Sequence, residues 1–267
     1  MIWRHAHASV AGRSHLKSGA PCQDASYCNV ERIERQEVLI AVASDGAGSS
    51  PSSQIGSIAT CTFLPVALSA MLLKRGVGVA PARSDVDGCI TALNSELVRV
   101  AAANHLPVAA LACTLLVALV APSWSMVAQI GDGAVAVRTD AGGGQGILGL
   151  AFVPEHGEYI NETFFVTDDR FLHHLQVQVI TTPLAAVALL TDGLVPFVDE
   201  GTLTPYQPWF EAVFDSLATG GPAADGQVPD EELAEYLNSE VIPRAAEDDL
   251  TAVIAVRASD GASSTEP

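Results

Sequence analysis

Apolar residues fall into two kinds of run along this chain, and the two predict different elements. Blocks of strand length recur: "VLIAVAS" (38–44), "ACTLLVALV" (112–120), "SMVAQIG" (125–131), "AVAVR" (134–138), "TFFVT" (163–167), "LQVQVI" (175–180), "AAVALLT" (185–191) and "LTAVIAV" (250–256). Longer stretches carry helical spacing. Residues 52–73 read as one helix, with Pro65 as the place for a kink because proline removes an amide donor and crowds the preceding turn. From a start at Asp85, Val86, Ile90, Leu93, Leu97 and Val100 recur at intervals of four, three, four and three, which places them on one helical face. Two more helices are expected over 206–218 and 230–239, the second with Pro229 ahead of an acidic first turn. Helices inserted among many hairpin-spaced strands predict a layered α+β architecture, not a βαβ series. The pattern assigns no element before residue 38, and no internal repeat is present.

Composition narrows the class. A chain of 267 residues, 49% of them hydrophobic, can bury a sizeable core. Residues 1–257 are expected to form a single domain, with 258–267 as a disordered tail. Gly, Pro or polar residues break the apolar stretches before 18 residues, so no membrane span is predicted. The opening "MIWRHAHASVAGRSH" has no basic segment followed by an apolar core, so it does not read as a signal peptide. Five cysteines (22, 28, 61, 89 and 113) include no Cys-x-x-Cys pair, which suits the reduced thiols of a cytoplasmic protein better than a disulfide frame or zinc site. Thirteen basic against 31 acidic residues leave a net charge of −18. Such a surface repels nucleic acid and anionic membranes. It also repels phosphate esters unless bound cations reverse the sign locally.

The distribution of Asp-Gly pairs points to such cations. Six occur, at Asp45, Asp87, Asp132, Asp192, Asp225 and Asp260. Those at 87, 225 and 260 sit in polar or helix-start contexts and read as ordinary turns. The other three end apolar runs: "LIAVASDG", "MVAQIGDG" and "VALLTDG". A further acidic pair, Asp248 and Asp249 in "AEDDLTAVIAV", opens the final strand. Strand ends of a layered sheet can converge, and carboxylates that meet there repel unless a cation lies between them. Oxygen donors alone favour Mg²⁺ or Mn²⁺ over zinc. Other features carry less. "AGGGQGILGL" (141–150) lacks the Lys-Ser/Thr of a phosphate-binding loop and reads as a flexible loop. Cys113 reads as a buried core thiol in a strand, His173-His174 as a surface pair, and "HGEYINETFF" (156–165) has no evident chemical role.

The order and wording of the motifs resemble a known family. "GAPCQDA" (19–25), "SDGAGS" (44–49), "ACTLL" (112–116), "QIGDGAVAV" (129–137), "LLTDGL" (189–194) and "EDDLTAVIAV" (247–256) are similar to the successive motifs of the PP2C-type metal-dependent Ser/Thr phosphatases, in their compact bacterial branch. The resemblance covers residues 8–256. It implies an αββα sandwich of two antiparallel sheets flanked by helices, and a binuclear Mn²⁺/Mg²⁺ site at one end. Carried over by position, Asp45 bridges both metals, the Gly46 carbonyl ligates one, and Asp192 and Asp248 hold the other. Asp24 holds a metal through water, and Asp132 binds a weaker third ion. Asp249 stands where the family usually has Asn, so either member of the 248–249 pair could ligate; Asp248, three before Thr251, is favoured.

Two positions depart from the family pattern. Ala47 replaces the histidine associated with proton donation, and Gly19 replaces the arginine that grips phosphate. Among nearby Arg13, His15 and Lys17, His15 is the first choice for contact with phosphate or for proton donation, which places it beside Asp45 and Asp192 in the catalytic set. The implied activity is hydrolysis of phosphoserine and phosphothreonine in proteins by water activated at two metals. Its substrates would be a bacterial Ser/Thr kinase or the targets of one. The departures leave two alternatives: a catalytically weak sensor or binding domain, and a phosphatase for small phosphorylated molecules.

Overall fold

The computed structural model describes residues 2–140, 146–152, 163–199, 204–219, 230–239, 242 and 247–258. Strand β1 (Ile2–Val10) leads through the short helix α1 (Arg13–Ser18) to the hairpin β2 (Ala25–Ile33) and β3 (Gln36–Ser44). Helices α2 (Ser53–Arg75) and α3 (Arg83–Ala103) follow, then β4 (Leu115–Val120), β5 (Ser125–Ile130), β6 (Ala134–Thr139) and β7 (Leu148–Leu150). Next come β8 (Gln176–Ile180), β9 (Leu184–Leu190), the short pair β10 (Val198–Asp199) and β11 (Thr204–Pro205), helices α4 (Gln207–Thr219) and α5 (Asp230–Leu237), and strand β12 (Leu250–Ala258). Two five-stranded antiparallel sheets result, ordered β1-β12-β9-β6-β7 and β2-β3-β4-β5-β8.

Burial on both faces explains why the central strands read as unbroken apolar runs. In β3, Val38, Ile40 and Val42 face α2 and α3, while Leu39, Ala41 and Ala43 face the other sheet. In β12, Ala252, Ile254 and Val256 face α4 and α5, while Val253 and Ala255 face inward. The layers therefore stack helix, sheet, sheet, helix, which is the αββα sandwich expected from the motifs. The helical stripe predicted on α3 is buried at Val86, Ile90, Leu93 and Leu97, with Val100 half-buried beside it.

Several expectations need correction. Helix α3 starts two residues early, at Arg83, with Asp85 in its first turn accepting the Ala82 N–H at 2.9 Å. Asp87 is not a turn: it sits inside α3 and pairs with Arg83 four residues earlier. Helix α2 passes through Pro65 without a break. By length and composition α2 could cross a bilayer, which the apolar-run count missed, but its Leu64, Leu68 and Leu72 side is buried in this layer. Residues 163–167 form no strand. Phe164 stacks on His174 at 3.5 Å, so that histidine is not simply a surface residue. The Val166 amide donates to Cys113 O, and its carbonyl accepts from Asn94, so the segment docks on the helical layer. Strand β4 begins at Leu115, leaving Cys113, though buried, in an isolated bridge ahead of it. Ala258, expected in the tail, is the last residue of β12. Residues 141–145, 156–162, 259–267 and Asp225 lie outside the described residues.

Candidate metal centre

The end of β3 is locked to the approach of β4. The Ser44 hydroxyl donates to Thr114 O at 2.7 Å, the Asp45 amide donates to Thr114 Oγ1 at 3.0 Å, and the Thr114 amide returns a bond to Asp45 O at 2.8 Å. Gly46 follows, its backbone bridged to Cys113. Asp132 stands in the turn between β5 and β6, and Asp192 follows β9 with only Thr191 between. Both sheets thus deliver a carboxylate to the same end of the sandwich. Carboxylate oxygens of Asp45, Asp132 and Asp192 lie within 4.8 Å of one another.

Asp24, just before β2, is buried beside them and contacts the Asp45 carboxylate. It accepts from Thr191 Oγ1 at 2.9 Å, and Thr191 Oγ1 accepts from the Thr251 amide at 3.1 Å. Asp248 is exposed, and its charge acts on both Asp45 and Asp192. Its neighbour points the other way. Asp249 is 1% exposed and accepts from the Gly12 amide at 2.7 Å, the Gln23 amide at 2.5 Å and His15 Nδ1 at 2.8 Å. Three donors hold Asp249, while Asp248 stays exposed at the same strand opening. Gly193 is required by packing: a Cβ there would stand 2.1 Å from Asp249 O.

His15 is placed by α1, whose amino end docks on the 247–249 segment through a Ser14 N–H bond to Glu247 O. Lys17 pairs with Glu247 at 3.3 Å, and Arg13 is exposed. Gly19 ends α1 at φ 73°, a left-handed turn that disfavours the arginine usual at this position. Ala47, where histidine is usual, is buried. Three threonines that support the carboxylates, Thr114, Thr191 and Thr251, went unassigned in the sequence. Thr191 and Thr251 stand within three residues of an Asp in the motifs, a signal that could have found them; Thr114, in "ACTLL", has no Asp near it in the sequence.

Burial pushes the carboxyl groups up in pKa, and neighbouring charges add to it at Asp45 and Asp192. Asp192 is raised to about 8, first by burial and then by Asp45, Asp132 and Asp248. Asp24 is raised to about 7, again chiefly by burial, and Asp45 lies well above the ordinary carboxylate range for the same reason and because of Asp24. Among the described residues, Asp24 Oδ1 and Asp192 Oδ1 are buried without a hydrogen-bond partner. All the donors are oxygens, their charges repel once ionised, and two buried oxygens lack partners among the described residues. A hard divalent cation fits this set, because it satisfies the oxygens and cancels the repulsion.

Comparison with known proteins agrees. The family described as Protein phosphatase 2C matches residues 11–238. Serine/threonine-protein phosphatase 3 of Escherichia coli (strain K12) is 30% identical over 263 residues, spanning 96% of this chain and 99% of its own. The crystal structure of the serine/threonine phosphatase Stp1 from Staphylococcus aureus aligns with a TM-score of 0.60 at 15% identity, covering 97% of this chain and 96% of that one. RsbX, crystallised in complex with magnesium, aligns with a TM-score of 0.54 at 14% identity, covering 96% and 95%. The two crystal structures share the fold, the family match takes in most of the chain, and the curated relative is alike from end to end: this chain belongs to the protein phosphatase 2C family.

Proposed function

We propose that the chain is a divalent-cation-dependent phosphatase acting on phosphoserine and phosphothreonine in proteins. The observation that carries this reading is the convergence of Asp45, Asp132 and Asp192 from the ends of both sheets. Asp45 would bridge two ions, with the Gly46 carbonyl, Asp192 and Asp248 completing the pair and Asp24 holding one through water. Asp132 would take a weaker third ion. Magnesium or manganese suits the oxygen donors, and the magnesium complex of RsbX is in keeping with that choice. When bound, such ions supply Lewis acidity toward the phosphoryl group and lower the pKa of coordinated water.

The chain's own residues supply orientation and proton handling. The carboxylates would hold the ions at the mouth of the sandwich, where a net charge of −18 would otherwise exclude a phosphate ester. His15 is the proposed proton carrier. Its Nδ1 is committed to Asp249, which leaves Nε2 to contact phosphate or protonate the leaving oxygen. The substrates proposed are a bacterial Ser/Thr kinase or its targets, as the name of the Escherichia coli relative suggests for the substrate class. Five unpaired thiols suit a cytoplasmic location.

Hydrolysis of a phosphothreonine peptide and of an aryl phosphate, each with Mg²⁺, Mn²⁺ or EDTA, tests the reading. Peptide turnover that requires the cation is expected. Turnover of the aryl ester alone would indicate small-molecule substrates, and no turnover with any cation would leave the sensor alternative.

A further inference from the structure

At the end of the sandwich opposite the metal centre, three arginines line one cavity. Asp45, Asp132 and Asp192 stand past the ends of β3, β5 and β9; the cavity lies where β1 starts, β12 ends and the β2-β3 hairpin turns. The nine residues of β3 run between the two ends, roughly 30 Å at the usual strand rise. The cavity measures about 410 Å³, within the range of small-molecule sites, and Arg32, Arg35 and Arg257 share its wall with Trp3, Glu37 and Pro122. On a chain with 13 basic residues and a net charge of −18, three guanidiniums around one hollow reverse the prevailing sign locally.

These charges are poorly matched within the protein. Exposed Arg32 stands opposite Glu37 in the hairpin register, yet among the described residues its side chain forms no ion pair. Arg257 is better enclosed, its side chain 14% exposed. It lies over the Trp3 ring at 5.9 Å and meets Asp140 at 3.4 Å, while its Nε is buried without a partner among the described residues. The hairpin turn gives a second, independent sign. Ile33 pairs with Gln36, so Glu34 and Arg35 alone make the turn, at φ 50° and 70°. Asn-Gly is the usual choice for such a turn, and a bulky residue in the left-handed region costs stability. Glu34 has a use there, since its carboxylate accepts the Val77 amide at 3.4 Å. The Arg35 side chain makes no hydrogen bond or ion pair among the described residues to offset the strain.

We propose that this cavity is a binding site for a small organic molecule carrying a phosphoryl dianion. Guanidinium forks match pairs of phosphoryl oxygens, and Trp3 and Pro122 give the organic part an apolar wall. The proposal does not rest on the phosphatase reading. Benzylphosphonate, which has no ester bond to hydrolyse, tests it when titrated into the Mg²⁺-saturated full chain. Nitrogen-15 NMR follows the Trp3 indole N–H, assigned through Trp3→Phe. A saturable shift is expected, retained in Asp45→Asn, which disables the metal centre. Arg32→Gln and Arg35→Asn should each weaken binding on the order of tenfold or more, through loss of a charge-assisted bond. Asn tolerates the left-handed turn, so Arg35→Asn should melt no lower than wild type, which separates lost binding from lost folding. In Asp45→Asn a phosphoserine peptide should shift Trp3 only at higher concentration than benzylphosphonate, and tighter peptide binding would overturn the small-molecule assignment. No Trp3 shift, a shift lost in Asp45→Asn but kept in both arginine variants, or equal affinity in wild type and the arginine variants would each overturn the site.

Discussion

Asp249 offers the sharpest test of the site, because its carboxylate is buried and answers three donors from the amino-terminal segment. Replacing it with Asn leaves no arrangement that serves all three. If the amide oxygen faces Gly12 and His15, the NH₂ group is pressed against the Gln23 N–H at 2.5 Å; if flipped, it meets the Gly12 N–H instead. Either way one buried backbone donor is lost, and a charge-assisted bond of about 1.5–3 kcal/mol goes with it. Asp249→Ala removes all three bonds and should cost about 3–5 kcal/mol. Urea unfolding in EDTA, which keeps metal binding out of the measurement, should show both losses in the midpoint. Exposed Asp248 should behave oppositely: Asp248→Ala should lie within about 0.5 kcal/mol of wild type in EDTA and yet lose Mg²⁺ affinity by calorimetry. Equal stability losses at 248 and 249, or an Asp249→Asn protein as stable as wild type, would refute this division of labour.

Three further outcomes are expected. Asp45→Asn and Asp192→Ala should cut cation-dependent turnover on the order of 10³-fold or more, whereas Asp87→Ala, on the outside of α3, should leave kcat/KM unchanged; a steady-state comparison of the three decides. Asp132→Ala should keep the tight cations, seen as an unchanged calorimetric isotherm, while kcat falls about 10–100-fold. Without metal, folded Asp24 and Asp192 hold protons up to about pH 7 and 8 that the unfolded chain releases near 3.8. Their contribution to stability is therefore full below the unfolded value and lost as pH rises through the folded ones. Melting in EDTA should occur at lower temperature at pH 8 than at pH 5, with Mg²⁺ giving the larger gain at pH 8. A rise in stability toward pH 8 in EDTA would contradict the carboxylate cluster.

The parts of the molecule legible in the sequence are those whose residues bury both faces of an element. Strands β3, β4, β9 and β12 declare themselves as apolar runs because helices cover one side and the partner sheet the other. Asp45 and Asp192 could be picked from six Asp-Gly pairs for the same reason, since each ends such a run. Strands β1 and β2 stayed hidden because they are edge strands with polar residues turned inward. His5, His7 and Ser9 alternate along β1 where apolar side chains would be expected. The false strand at 163–167 shows the converse: Phe164 and Val166 are apolar because they pack on His174 and the helical layer, with no neighbouring strand to pair them. The role of Asp249 was beyond local pattern altogether. Its partners Gly12 and Gln23 lie 237 and 226 residues away, and only the register of β12 beside β1 brings them together.

That register has a consequence for how the protein comes into being. Strand β12 is the last described strand in the chain, but it occupies an interior position in its sheet, between β1 and β9. Until it inserts, β1 and β9 each present an open edge, and Asp24 and Asp45 wait without Thr251, Asp248 or the anchor at Asp249. A nascent chain can form the β2-β3-β4-β5 sheet and its helices from local contacts, but it has no finished cation site to offer. Closure of the centre is thereby tied to the arrival of the carboxyl-terminal strand, through pairings of long sequence separation that form slowly and expose strand edges meanwhile. A chain halted before residue 247 would carry most of the acidic residues of the centre without the architecture that makes them a site, and its unpaired edges would make it a candidate for aggregation and clearance.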